Sequence, residues 1–210
     1  MVVPALLALA AVLLAAQPNL GKLALTATQV GPGYVLQQPT DGRGTAQRTL
    51  DLCGTTGYAS EALRADRLQV YYQRPNAKLA LSNEVVRYRP GGATRAMGEV
   101  VAHASGCPKK PIAFEGFPPL RYDITRITDS KLLKGYVAAR VHRFGTVNGK
   151  KVDDTFFVVY QRLGNVLSGV YSYAAKGVTP AEQEAFVLHA AEQSARNLRA
   201  GGGSGGGIPA

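Results

Sequence analysis

The stretch YVAARVHRFGTVNGKKVDDTFFVVYQRLGNVLSGVYSYA, residues 136–174, decides the fold. Asn148-Gly149 is a strong hairpin signal, because both residues tolerate the positive φ that a two-residue turn demands, and Gly164-Asn165 is a second. Counting outward from the two turns fixes the pairing. Val137 faces Tyr160, Ala139 faces Val158 and Val141 faces Phe156; on the next strand Phe156 faces Tyr173 and Val158 faces Tyr171. Side chains alternate between faces along a strand, so one face of this meander is Val, Ala, Phe and Tyr. It is expected to be the core face beneath the last helix, with Arg143 opposite Asp154 at its rim. The reverse face carries Tyr136, Arg140, His142, Phe144, Thr155, Phe157, Gln161, Ser168 and Ser172. A face so mixed is either solvated or the wall of a ligand cleft. On the second reading Arg140, His142, Phe157 and Ser172 are the candidate ligand-binding residues. Arg140 would offer its planar fork of donors to an anionic head group, and Phe157, directly opposite, would give apolar contact.

Downstream, a helix is expected from Thr179 to about Arg199. Thr179 and Glu182 form a capping box, Pro180 sits at the first helical position, and Ala185, Leu188, Ala191, Ala195 and Leu198 make a stripe. Upstream the same order of elements occurs with shorter strands. Thr26–Val30 reads as a helical turn, and Tyr34–Gln38 and Thr49–Leu52 as strands. Arg67–Gln73 alternates, with Leu68, Val70 and Tyr72 on one face and Arg67, Gln69 and Tyr71 on the other. Arg74-Pro75-Asn76-Ala77 is turn chemistry, and Leu79–Tyr88 returns as a second strand. Ala93, Ala96, Met97, Val100, Val101 and Ala104 then mark one face of a helix that Gly106 stops. The fold class expected is α+β: an antiparallel sheet built from two hairpin-then-helix halves, with the helices packed on one face.

The chain has 210 residues, 46% of them apolar and 18% charged, which excludes a disordered main body and a coiled coil. Residues 2–16, VVPALLALAAVLLAA, have the length and apolarity of a secretory h-region rather than of a membrane span. The expected organisation is a signal-like segment 1–16, a single α+β domain 17–200 and a flexible Gly-rich tail 201–210. Export is the expected localisation, secreted or envelope-associated, with retention by an uncleaved N-terminal segment as a variant of it. In an exported chain two cysteines pair, and a Cys53–Cys107 disulfide closes a loop worth about 4 kcal/mol. Neither cysteine has metal-type spacing to a second Cys or His, and His103, four residues before Cys107, edges an apolar helix stripe.

Lys and Arg number 24 against 14 Asp and Glu, a net charge of +10. The basic residues are dispersed, and no recognition motif accompanies them, so nucleic acid is not an expected partner. The charge fits solubility and attraction to an anionic envelope surface. Motifs of catalysis are missing too. There is no GxSxG, no phosphate-cradling loop and no His pair at metal spacing. Asp153 and Asp154 point to opposite sides of a strand, and Glu84 is expected at a solvent-side strand position. No cofactor and no metal are expected, and an enzyme has no support. The function expected is an exported, non-catalytic, sensor-like module that binds a small amphiphilic or anionic envelope component. The rivals are a structural or protein-interaction module of the envelope and a hydrolase with a dispersed site.

Five stretches carry a resemblance: VGPGYVL (30–36), LDLCG (50–54), SNEVVRYRPGGATRAMGEV (82–100), GCP (106–108) and LSGVYSY (167–173). Together they resemble small exported actinobacterial proteins of the sensor-domain type, akin to the extracellular sensor domains of mycobacterial serine/threonine kinases. The resemblance implies an antiparallel sheet with helices, a cleft and a ligand of unidentified nature. This chain differs in having one possible disulfide, no kinase domain and no membrane-spanning stem. Signalling is therefore not carried over, and neither is any functional residue, since the matching positions look like fold determinants.

Overall fold

Both tight turns form. Asn148 and Gly149 take φ of 49° and 74°, and Gly164 takes 57°, the left-handed values that two-residue hairpin loops require. The computed structural model describes residues 19–40, 42–54, 57–114 and 117–202. In chain order its elements are α1 (Leu20–Leu23), α2 (Ala27–Val30), β1 (Val35–Gln37), a 3-10 turn (Ala59–Leu63), β2 (Arg64–Gln73), β3 (Leu79–Tyr88), α3 (Gly92–Ala104), β4 (Ile112–Phe114), β5 (Phe117–Ile127), β6 (Val137–Val147), β7 (Lys150–Leu163), β8 (Val166–Ala174) and α4 (Pro180–Gly202).

The sheet is antiparallel in the order β1-β2-β3-β8-β7-β6-β5, seven strands, with the short β4 paired along the outer edge of β5. The register of β6, β7 and β8 is the one counted from the turns: Val137 opposite Tyr160, Val141 opposite Phe156, Val158 opposite Tyr171. The second expected strand, Thr49–Leu52, does not form. The Thr49 and Leu50 amides each donate to the Glu61 carboxylate at 3.1 Å, so they have no need of a ladder partner, and the apolar Leu50 and Leu52 are buried as irregular chain.

The helices lie on opposite faces of the sheet, which corrects the expectation of one covered face. Val187, Ala190, Ala191, Ala195 and Leu198 of α4 share a core with Ala138, Phe157, Val159 and Val170, together with Leu20, Leu23 and Leu25. Ala93, Ala96, Met97 and Val100 of α3 share another with Val137, Ala139, Val158, Tyr160 and Leu167. The Val/Ala/Phe/Tyr face thus lies beneath α3, and the mixed face lies beneath α4. The polar residues of the mixed face have a solvated composition, but Gln161 and Ser168 are satisfied in the dry layer, and the Ser172 hydroxyl is buried there without a hydrogen-bond partner. Gln161 accepts from the Leu133 amide at 3.0 Å and donates to the Ala191 carbonyl at 2.8 Å. Ser168 and Ser194 share a 2.8 Å hydrogen bond, and Gln183 donates to the Ser172 carbonyl at 2.9 Å. A buried polar group with its partner in place costs little.

The capping box of α4 forms, Thr179 and Glu182 bonding reciprocally. The buried stripe of this helix is Gln183, Val187, Ala190, Ala191, Ser194, Ala195 and Leu198, whereas Ala185 is exposed. The helix runs two residues into the expected tail, through Gly202. The signal-like segment and residues 203–210 lie outside the described residues. Among the described residues no helix is long and apolar enough to cross a membrane.

Candidate ligand cleft

A segment without regular structure, residues 45–54, builds one wall of a cleft beside α3. Three anchors hold it. Buried Arg64 donates to the Thr45 carbonyl at 2.7 Å and to Thr49 Oγ1 at 3.0 Å, while Glu61 caps the Thr49 and Leu50 amides. Cys53 and Cys107 form a disulfide, Cα atoms 5.4 Å apart, fastening the segment to the chain that leaves α3. Cys53 and Gly54 both adopt left-handed φ, 67° and 62°. A Cβ on Gly54 would stand 2.6 Å from the Tyr122 hydroxyl, so only glycine lets the segment lie down on β5.

Between this wall and the sheet lies a cavity of about 410 Å³, within the span of about 300–1,000 Å³ usual for small-molecule sites. Its floor comes from the strands. Alternation puts Arg67, Gln69 and Tyr71 of β2 on this side, and the pairing of Gln69 with Glu84 sets Arg67 diagonal to that carboxylate. Arg67 Nε donates to Glu84 Oε1, and Arg67 Nη2 to Gln69 Oε1 at 2.6 Å. Gln69 Nε2 reaches on to the Tyr71 hydroxyl at 3.2 Å and to Ser82 Oγ at 3.3 Å. Glu84 is 2% exposed. Burial pushes its carboxyl up to about 7 against the pull of Arg67, because desolvation disfavours the charged form.

At the open rim Arg143 binds Asp154 through both carboxylate oxygens, at 2.9 and 2.5 Å. Asp51 stands nearby, raised by burial and drawn back by the Arg143 charge and by a bond from the Gly54 backbone. The remaining surface is aromatic. Tyr171 donates to the Thr49 carbonyl at 3.1 Å and meets the Tyr160 hydroxyl at 2.8 Å, tying sheet to wall. Phe156 and Tyr173 complete the lining, and Tyr173 is 44% exposed. The arrangement can hold a small molecule between aromatic faces and paired hydrogen-bonding groups. Among the described residues no three His, Cys, Asp or Glu side chains converge as a metal site would need.

A solved structure is similar in shape. It is the crystal structure of the extracellular domain of PknH from Mycobacterium tuberculosis, 12% identical, with a TM-score of 0.49 over 86% of this chain and 98% of that one. The match agrees with the resemblance read from the sequence. No family model matches the chain, and neither does any curated protein.

The four residues singled out from the sequence do share a face, Arg140 opposite Phe157 and Phe157 opposite Ser172. That face is the one α4 covers. Phe157 and Ser172 are fully buried, so a ligand reaches them only by displacing the helix. Arg140 is exposed and His142 half-buried, its Nε2 2.9 Å from Asp153 Oδ1 and its ring stacked on Phe144. The cleft lies on the other face. Glu84, expected toward solvent, is instead closed into its floor, since residues 45–54 and α3 cover a face that the strand pattern alone leaves open. Arg67 and Glu84 had a signal in the sequence. Opposite charges sit diagonally across the hairpin whose turn, Arg74–Ala77, was legible, and pairing its strands would have brought them together.

Proposed function

We propose that the protein is an extracytoplasmic, non-catalytic binding module of the sensor type, with its ligand site in the cleft beside α3. The disulfide supports the location, because such bonds form and persist in oxidising compartments. The observation that carries the binding reading is the joint presence of aromatic faces and charge-paired donors and acceptors around one concavity. The ligand is a small envelope component that is amphiphilic or anionic. Its apolar side lies against Tyr173 and Phe156, and its oxygens meet Arg143 and its neighbours. A binder is favoured over a hydrolase because Glu84, whose proton affinity burial raises, is 2% exposed in the floor and engaged by Arg67.

Native mass spectrometry of the protein recovered from outside its host cells tests this. An adduct of small mass on the wild type, lost in Arg143→Ala, is the expected result. An adduct kept by Arg143→Ala and lost in Arg140→Ala would move the site to the α4 face and refute the reading.

A further inference from the structure

Resting on the binding reading above, a narrower statement about the ligand follows from what the cleft is made of. Among the described residues that line it, Leu, Ile, Val and Met are missing, and Ala174 alone is aliphatic. An acyl chain buried there would find no aliphatic surface to pack against. The large apolar side chains are aromatic, those of Phe156, Tyr71, Tyr171 and Tyr173. Two of the cleft's three guanidiniums are engaged by carboxylates as well: Arg67 lies on Glu84, and Arg143 on Asp154. A bare anion gains little from a guanidinium already engaged by a carboxylate.

Paired charges of this kind suit a different ligand chemistry. Arg143 keeps further N–H donors beyond those spent on Asp154, and Asp154 keeps further lone pairs, so donor and acceptor stand side by side at the rim. A hydroxyl group donates and accepts at once, and neighbouring hydroxyls on one ring can meet both. An aromatic face is the negative side of a quadrupole and attracts the weakly positive C–H edge of a saturated ring. A sugar ring is amphiphilic by face in this sense, C–H groups on one side and hydroxyls around its rim.

The cleft also does not end at Tyr173. A second cavity of about 320 Å³, lined by Arg74, Lys78, Leu79 and Ala175, shares Tyr173 and Ala174 with it. An exposed tyrosine stands where two concavities meet, and a ligand of repeating rings would occupy both. We infer that the ligand is an oligosaccharide whose chain crosses Tyr173, one ring against the aromatic lining of the first cavity and the next lodged in the second.

The test is an amide NMR titration of the intact protein with chitotetraose, cellotetraose and an α-linked mannotetraose, and separately with palmitate and inorganic phosphate. The expected result is that at least one tetrasaccharide shifts the amides of Thr155 and Ala174 together with those of Lys78 and Ala175. Tyr173→Ala should then weaken it by about tenfold, and Tyr173→Phe, which keeps the ring, should leave affinity within about twofold. Tyr173 is exposed, so both variants should keep the wild-type amide spectrum of α4. Shifts confined to the first cavity would overturn the crossing of Tyr173. No response to any of the three sugars overturns the saccharide assignment. In that event a response of the cleft to palmitate or phosphate leaves the binding reading standing, and silence toward every probe removes both.

Discussion

Replacing Glu84 with Gln should change how stability depends on pH. The carboxyl is buried against Arg67, with Arg64 and Glu61 close by and the hydroxyls of Tyr88, Tyr171 and Tyr173 around it. Burial raises it from 4.5 to about 7. A carboxyl that holds its proton more tightly when folded adds stability below pH 4.5 and loses that addition as pH climbs through about 7. Each tenfold change in proton affinity is worth about 1.4 kcal/mol, so the full loss is about 3 kcal/mol. Glu84→Gln has no proton to lose. Urea unfolding of both proteins at several values between pH 4.5 and 7 gives the difference directly, and Asp51 and the exposed carboxylates cancel from it. Wild type should fall relative to Glu84→Gln by about 3 kcal/mol across that interval. A flat difference would refute the reasoning. A rise with pH would mean that the Arg67–Glu84 attraction outweighs the cost of taking both charges out of water.

Reducing the Cys53–Cys107 bond frees a 54-residue loop and should lower stability by about 4 kcal/mol in urea unfolding; a loss below about 1 kcal/mol would show that the wall segment is held by Arg64 and Glu61 alone. Gly54→Ala should destabilise by well over the roughly 1 kcal/mol expected of Gly149→Ala. Both sites have left-handed φ, but a Cβ on Gly54 strikes Tyr122 while one on Gly149 meets nothing within 4 Å; equal losses for the two would refute the steric account. Ser168→Ala should cost about 1–2 kcal/mol in thermal unfolding, because it strands the buried Ser194 hydroxyl and takes an acceptor from Asn83, and Ser194→Ala should cost less, because Ser168 keeps its bond from Asn83 Nδ2. The double variant should cost clearly less than their sum, and strict additivity would refute the shared bond.

The second half of the chain was legible because its turns name their own type. Asn148-Gly149 and Gly164-Asn165 fix the register, and with the register come the face partners, down to Arg143 against Asp154. The stripe of α3 and the capping box of α4 were legible for the same reason: the signal is local. Which helix covers which face was not. From Val166 to Ser172 both faces of β8 are dry, and a dry face built from Ser168, Ser172 and Gln161 has the composition of a wet one until Ser194, Gln183 and Ala191 are seen bonding to it. The cleft was hidden by a related circumstance. Its floor, Arg67, Gln69 and Glu84, is polar and alternates as a surface would, and its wall is irregular chain whose amides are satisfied by a carboxylate. No periodicity reports such a wall. Only its fastenings, the cysteine pair and the Cys53-Gly54 bend, leave a trace in the sequence.

The strand order has a kinetic consequence. Within the sheet every strand pairs with a neighbour in sequence except at one place, where β3 meets β8. Two meanders, whose steps other than β1–β2 are short-range, are thus joined along a single seam between residues 79–87 and 166–174. Closing so long a loop is slow, since its entropy is lost before any contact rewards it. The cleft straddles that seam, taking Glu84 and Arg67 from one side and Tyr171, Asp154 and Arg143 from the other. The cleft therefore comes into being only with the slowest pairing of the chain, and any occupant would act as a latch that retards the separation of the two halves.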